Sequence, residues 1–170
     1  SASGGLWKTS NGGLAWQPLT DELPTLGTSS ALVDPVNPSI VYLGTGDRDH
    51  NDAPGLGVMK STDGGLTWSS ANSGMGNAIV GDLLFPLNSS ITLLAATNAG
   101  IYRSQDAGNS WQQVATGNFK DLDRHPLNPA ILYATASGRF YRSVDTGATW
   151  QQAGNVPTVS RMVIATSPAA

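Results

Sequence analysis

Short apolar runs recur along the chain and are rich in the β-branched and aromatic side chains that fit a pleated, half-buried surface. One set follows an apolar stretch and a turn that contains proline or asparagine; its runs are 40–43, 91–94 and 131–134, and its turns are 34–38, 85–89 and 125–129. A second set follows a glycine or a short loop and comprises 6–8, 58–60, 101–103 and 140–142. This pattern predicts many short strands joined by turns.

An octapeptide returns four times, at residues 9–16, 61–68, 104–111 and 143–150. Its third residue is Asn11, Asp63, Asp106 or Asp145, so successive copies are 52, 43 and 39 residues apart. A period of this length suits a unit of four short strands and is too long for a leucine-rich repeat. The fourth strand of each unit is expected to start at the tryptophan that closes the octapeptide. We therefore predict an all-β chain, a β-propeller built of four-stranded blades.

The residue types of the octapeptide are those of a tight structural turn. An aspartate in such a turn accepts hydrogen bonds from backbone N–H groups two or three residues on, and a glycine adopts a positive φ without steric cost. The tryptophan can bury a large ring between neighbouring sheets. We thus expect a structural and not a catalytic role for Asn11, Trp16, Asp63, Trp68, Asp106, Trp111, Asp145 and Trp150.

The octapeptide resembles the S/T-x-D-x-G-x-S/T-W pattern of the Asp-box (BNR) repeat propellers, which include sialidases, sortilin-type receptors, xyloglucanase-like glycoside hydrolases and bacterial surface proteins. The last three copies match in full, whereas the first has Asn11 for aspartate and Ala15 for the hydroxyl residue. The resemblance implies that a sialidase would need three convergent arginines and a tyrosine and glutamate pair. Glu22 is the only glutamate, so a sialidase site is not expected.

The repeat divides the chain into consecutive units of a single propeller segment. The predicted limits are a half blade at 1–25, blades at 26–75, 76–117 and 118–157, and the first strand of a further blade at 158–170. Open strand edges and uncovered apolar faces at both ends favour an incomplete segment of a larger propeller over a closed four-bladed ring. The expected partners are therefore the remainder of its own propeller or another copy of the chain.

Composition limits the classes of partner. The 170 residues carry a net charge of −3 with only nine Lys and Arg, so no electrostatic footprint for nucleic acid is expected. No run is long enough to span a membrane. Cysteine is absent, which excludes disulfides and thiolate metal sites. Low charge, with 12% of residues charged, and the resemblance together favour an extracellular or cell-envelope location, in a bacterium.

Two groups of residues are candidates for chemistry. Asp82, Asp121 and Asp123 lie at or before the first strands of their blades, nearest the expected central channel, where a glycoside hydrolase would need a pair of carboxylates. Asp47, Asp49 and Asn51 offer oxygens on alternate residues of the long loop 46–57, the spacing that suits Ca²⁺. That loop lacks the glycine and bidentate glutamate of an EF-hand, so a solvated, hydrogen-bonded loop without a cofactor is the alternative.

Two functions remain open from the sequence. The first is a non-catalytic extracellular interaction or scaffold module that binds protein or glycan. The second, based on fold analogy, is part of a xyloglucanase-like glycoside hydrolase with catalytic carboxylates near the central channel.

Overall fold

The structure is a computed structural model that describes residues 4–49, 52–87, 89–155 and 162–168. Strands, turns and loops account for all of the described residues, and no helix occurs among them. Likewise, the described part of the chain contains no helix that could span a membrane. The strands are Trp7–Lys8 (β1), Gln17–Pro18 (β2), Thr28–Val33 (β3), Val41–Thr45 (β4), Val58–Ser61 (β5), Ser69–Ser70 (β6), Val80–Leu84 (β7), Leu93–Thr97 (β8), Gly100–Ser104 (β9), Gln112–Thr116 (β10), Asp121–Arg124 (β11), Leu132–Ala136 (β12), Arg139–Ser143 (β13) and Gln151–Asn155 (β14).

Each group of four consecutive strands forms one antiparallel sheet with its strands in chain order. These sheets are blade 1 (β3 to β6), blade 2 (β7 to β10) and blade 3 (β11 to β14), while β1 and β2 pair with each other. The prediction of an all-β chain with four-stranded sheets is confirmed. Each sheet lies within one predicted blade, since β3 to β6 fall in 26–75, β7 to β10 in 76–117 and β11 to β14 in 118–157.

The first strands of the three blades lie side by side. β3 contacts β7, and β7 contacts β11. In β3 and β7 the pairing register shifts by one residue near the start of the strand, between Thr28 and Ser30 and between Val80 and Asp82. A bulge of this kind bends a strand and re-aims its side chains. The residues at and after these bulges are therefore positioned to reach the next blade.

The hydrophobic core consists of two layers between the blades. Strand β8 is buried on both faces, because Leu93 and Ala95 pack towards blade 1 while Leu94 and Ala96 pack towards blade 3. Its continuous apolar sequence is what a strand with no solvent face requires. The layer between blades 1 and 2 also contains Tyr42, Val58, Val80, Leu83, Phe85 and Trp111. The layer between blades 2 and 3 also contains Ile101, Phe119, Leu122, Leu132 and Ala134.

Residues 162–168 lie in an extended segment beside β11 and β12. The Ile164 N–H donates to Asp121 Oδ2 at 2.7 Å, and Thr135 Oγ1 donates to the Met162 carbonyl at 3.0 Å. This segment has no ladder with another strand of the described chain. The first strand predicted at 158–170 stays a prediction, because residues 158–161, 169 and 170 lie outside the described residues.

Candidate functional site

The octapeptide turn is closed by side-chain hydrogen bonds that reach four residues along the chain. Asp106 Oδ1 accepts from the Ser110 N–H at 2.9 Å and from Ser104 Oγ at 2.8 Å, and Asp106 Oδ2 accepts from Ser110 Oγ at 2.6 Å. Ser104 Oγ accepts in turn from the Gly108 N–H at 2.9 Å. The hydrogen bonds from Ser110 and Ser104 outweigh desolvation and lower the pKa of Asp106 to about 2. Both carboxylate oxygens are thus used inside the turn.

The same contacts recur at the other full copies of the octapeptide. Donation from the hydroxyl and N–H of Thr67 lowers the pKa of Asp63. Desolvation acts to raise the pKa of Asp145, but hydrogen bonds from Thr149 and Ser143 lower it overall. In the first copy the Asn11 amide oxygen accepts from the Ala15 N–H at 2.9 Å and from Thr9 Oγ1 at 3.0 Å, and Ala15 has no hydroxyl to add the remaining bond. This turn has neither the charge nor the second hydroxyl.

The four octapeptide tryptophans differ in their surroundings. Trp111 is 5% exposed, and its Nε1 donates to the Ala71 carbonyl at 2.7 Å, across the boundary between blades 1 and 2. Trp68 Nε1 donates to the Leu19 carbonyl, also at 2.7 Å. Trp150 packs against the core layer between blades 2 and 3 but donates to its own turn, whereas Trp16 is 57% exposed. A shared sequence position therefore gives rings of very different burial.

Asp82, the first of the channel-side carboxylates, connects the inner strands of all three blades. Its Oδ1 accepts from Ser30 Oγ at 2.9 Å and from the Leu83 N–H at 2.8 Å, and its Oδ2 accepts from the Leu122 N–H at 3.3 Å. Burial, together with the nearby charge of Asp121, raises the pKa of Asp82 despite these hydrogen bonds. Each oxygen of this carboxylate already has a donor from the protein.

Asp121 and Asp123 stand two residues apart on β11 and have different surroundings. Asp121 is 8% exposed and accepts from the Ile164 N–H, the same kind of contact that Asp82 makes with Leu122. Asp123 is half-buried, and its Oδ1 accepts from the Arg124 N–H at 2.7 Å. The structure thus brings Asp82 and Asp121 together and leaves Asp123 apart from them, on a groove.

That groove lies where the inner strands of blades 1 to 3 end in their proline turns. It has a volume of about 640 Å³. Hereafter the channel groove, it is lined by Leu32, Val33, Pro35, Val36, Leu84, Phe85, Pro86, Ser89, Ser90, Asp123 and Arg124. The repeated proline turns and Asp123 are evident in the sequence, but their proximity is not. The equivalent position of these turns in successive blades was the signal that could have predicted that they lie side by side.

The long loop after β4 reaches across blade 1 to its neighbours. Arg48 Nη1 donates to the Gly81 carbonyl at 3.0 Å and to the Lys120 carbonyl at 3.1 Å, and Lys120 Nζ donates to the Arg48 carbonyl. Asp47 is buried and accepts from the Asp49 N–H at 2.9 Å. The acidic residues of this loop were predicted from the sequence as candidate ligands, whereas the contacts of Arg48 were not predicted.

Calcium binding by Asp47, Asp49 and Asn51 stays a prediction, because Asn51 lies outside the described residues. Within the described ranges, no group of three or more His, Cys, Asp or Glu side chains is arranged to hold a metal ion.

Comparison with known proteins relates the chain to xyloglucanases. No family model matches. A xyloglucanase from a Paenibacillus species is 27% identical over an alignment 150 residues long, which covers 78% of this chain and 14% of that enzyme. The chain therefore spans about a seventh of the length of this curated relative.

Solved structures of GH74 enzymes share the fold. An ancestral GH74 enzyme superposes with a TM-score of 0.75 at 22% identity, over 89% of this chain and 21% of its own. A GH74 enzyme of Niastella koreensis gives a TM-score of 0.71 at 21% identity, over 89% of this chain and 26% of its own. These neighbours are β-propellers, so the predicted propeller fold is confirmed.

Proposed function

We propose that this chain supplies non-catalytic, glycan-binding blades to a larger extracellular propeller of the Asp-box type, in a bacterium. The observation that carries the proposal is the use of two channel-side carboxylates as backbone acceptors: Asp82 accepts from the Leu122 N–H of the next blade, and Asp121 accepts from the Ile164 N–H of the 162–168 segment. Those contacts give the two most buried channel-side carboxylates a role in joining blades.

Glycoside hydrolysis needs one carboxyl group to protonate the leaving oxygen and a second to attack or to activate water. Both groups must reach the same sugar. Asp82 accepts three hydrogen bonds from the protein. Burial raises the pKa of Asp82, and the same burial keeps the carboxylate from a ligand. A sugar oxygen would have to displace Ser30 or Leu122 to reach this carboxylate. This cost is the physical argument against catalysis at Asp82.

The channel groove is the surface that suits a glycan. Its volume of about 640 Å³ lies within the range of about 300–1,000 Å³ usual for small-ligand sites. Asp123, Ser89 and Ser90 provide oxygen atoms for sugar hydroxyl groups, while Val36 and Phe85 provide apolar surface for the faces of the rings. The similarity to xyloglucanases supports a β-glucan as the class of glycan.

A second candidate is a part of a glycoside hydrolase, and the similarity to xyloglucanases favours it. In this case Asp123, the carboxylate on the channel groove, would act together with a carboxylate supplied by other blades. The two proposals differ in one outcome, which is bond cleavage at this groove.

Affinity electrophoresis of the 170-residue chain, in native gels with and without xyloglucan, tests glycan binding. We expect slower migration in xyloglucan and unchanged migration in dextran. Asp123→Asn should weaken binding about tenfold, as expected for one charged hydrogen bond. The matched control is Glu22→Gln, an exposed carboxylate outside the groove, which should bind like the wild type. Equal migration in all gels would refute glycan binding.

A reducing-end assay on xyloglucan separates the two candidates. We expect the 170-residue chain to release no reducing ends from xyloglucan. In a longer form of the protein, we expect Asp123→Asn to weaken xyloglucan binding and to leave any cleavage rate unaltered. Cleavage that falls by orders of magnitude in Asp123→Asn would establish the hydrolase and overturn the non-catalytic proposal.

A further inference from the structure

A basic side chain at one position of the third strand caps the octapeptide turn of the next blade. The acceptor is each time the carbonyl of the fourth octapeptide residue. The donor belongs to one blade, and the acceptor belongs to the blade that follows it in the sequence. The three pairs are Lys8 Nζ to Gly64 O at 3.1 Å, Lys60 Nζ to Ala107 O at 2.7 Å and Arg103 Nε to Thr146 O at 3.0 Å.

The residue opposite this cation on the second strand completes the receiving surface. Tyr42 pairs with Lys60 in the ladder, and its hydroxyl donates to the same Ala107 carbonyl at 2.9 Å. Burial, with the charge of Asp34, raises the pKa of Tyr42 to about 12, so this hydroxyl remains a donor. A Cβ on Gly108 would lie 2.9 Å from Tyr42 Cε1, so the turn needs glycine there.

Blade 2 receives the turn of blade 3 in the same way. Leu94 pairs with Arg103 in the ladder and packs against Gly147, whose φ is 78°. A Cβ at Gly147 would overlap Leu94 Cδ2. The receiving surface is therefore a second-strand residue and a third-strand cation in one register. Its ligand is a turn with a glycine at the fifth position and a free carbonyl at the fourth.

Blade 3 presents the same register, and no octapeptide turn among the described residues lies against it. Tyr133 pairs with Arg142, as Tyr42 pairs with Lys60. Arg142 is exposed, and Tyr133 is half-buried and stacked on Phe140 with 5.5 Å between ring centroids. Over the described ranges, neither the Arg142 guanidinium nor the Tyr133 hydroxyl has a hydrogen-bond partner. Both donors of the blade 1 surface are thus repeated here.

Residues 162–168 indicate which blade belongs on this surface. The Ile164 N–H donates to Asp121 as the Leu122 N–H donates to Asp82, so this segment lies against blade 3 as the inner strand β11 lies against blade 2. In blades 2 and 3 the inner strand and the octapeptide turn that docks on the preceding blade belong to one sheet. The outer strands of the same blade should therefore carry the turn that covers Tyr133 and Arg142.

We propose that Tyr133 and Arg142 form the receiving surface for the octapeptide turn of a further blade in the same polypeptide, the blade whose inner strand is 162–168. Arg142 donates to the carbonyl of the fourth octapeptide residue of that turn, and the Tyr133 hydroxyl donates to the same oxygen. Arg142 is a positioning residue that sets the angle between two blades. The proposal is independent of glycan binding, and its test measures stability.

The test uses the full chain extended at its C-terminal end by a duplicate of β8, β9 and β10, which are the second, third and fourth strands of blade 2. Residues 87–117, which contain the octapeptide at 104–111, are joined after Pro168, and thermal unfolding is followed with and without this extension. In the extended chain we expect Arg142→Ala and Tyr133→Phe each to lower Tm by about 2–4 °C, and in the unextended chain we expect no change.

Two control variants accompany this comparison. Arg103→Ala removes the equivalent contact between blades 2 and 3 and should lower Tm in both chains. Arg139 is an exposed residue of β13, the strand that contains Arg142, and Arg139→Ala should lower Tm in neither chain. A second extension built from residues 127–155 places a different turn at the same position. If neither extension makes Tm sensitive to Arg142→Ala, the proposal is overturned. It is equally overturned if the unextended chain self-associates and Arg142→Ala abolishes that association, since a second copy would then be the occupant.

Discussion

At the scale of single residues, the octapeptide aspartate acts as a charged acceptor for its own turn. Two of its hydrogen bonds come from one residue, as with the N–H and hydroxyl of Ser110 on Asp106. Bonds that favour the ionised form lower the pKa, and this difference from the unfolded chain couples folding to pH. The first turn, with Asn11, has no such coupling.

We predict that Asp106→Asn reduces the pH dependence of stability below neutral pH. The pKa of Asp106 falls from about 3.9 in the unfolded chain to about 2 in the folded chain, so its contribution is present above pH 4 and is lost as pH falls through 2. At pH 6 the variant should lose about 1 kcal/mol of the free energy of unfolding, a small loss because solvent screens this partly exposed carboxylate. Chemical unfolding at several pH values measures the difference.

Asn11→Ala is the matched control, because an amide does not titrate. Its effect on the free energy of unfolding should be the same at pH 6 and at pH 2. A constant difference between Asp106→Asn and the wild type over this range would show that the carboxylate charge contributes nothing to the turn.

At the scale of elements, burial between blades decides what a strand or a turn contributes. The strands of blade 2 lie between two neighbours, and all five residues of β8 are buried. The tryptophans show the same dependence on position, from 5% exposed at Trp111 to 57% exposed at Trp16. The contribution of each repeat to the free energy of unfolding therefore depends on the core layer that it faces as well as on its own sequence.

We predict that Trp111→Ala lowers the free energy of unfolding by about 3–5 kcal/mol, through lost burial and the cavity that remains. Trp16→Ala, the same change at the same octapeptide position, should cost about 0.5 kcal/mol or less because the ring is exposed. Denaturant unfolding of both variants provides the comparison. Equal losses would mean that the ring of Trp111 is not part of the layer between blades 1 and 2.

At the scale of the whole molecule, a few polar side chains connect blades that are distant in sequence. Asp82 links Ser30 of blade 1 to Leu122 of blade 3 through blade 2. Arg48 reaches from the loop of blade 1 to the carbonyls of Gly81 and Lys120. These contacts are near the inner strands, where the blades converge, so they set how the sheets sit relative to one another.

We predict that Arg48→Ala loosens the inner strands. Two backbone carbonyls lose a charged donor, which should cost about 1–3 kcal/mol in the free energy of unfolding. Amide hydrogen exchange should become faster in β7 and β11 while the outer strand β10 keeps its protection. Arg139→Ala serves as the control on an exposed arginine. Unchanged exchange at β7 and β11 would exclude Arg48 as a link between blades.

Structural features that depend on neighbours a few residues away follow from the amino-acid sequence alone. The octapeptide turn closes through contacts such as that of Asp63 with Thr67, four residues on, and the strands follow from short apolar runs between turns. Repetition of these local units was enough to predict four-stranded sheets and a propeller. This part of the fold was predictable because local hydrogen bonding and burial pattern appear directly in the spacing of residues.

The contacts between side chains of different blades, in contrast, depend on the packing of the sheets in three dimensions. Asp82 and Leu122 are 40 residues apart and Arg48 and Lys120 are 72 apart, so no local pattern records their contacts. The inner-strand bulge before Asp82 turns a candidate catalytic carboxylate towards the backbone of the next blade. The candidate site was therefore predicted as a set of residue types, while their roles depend on how sheets pack, which is a property of the assembled blades.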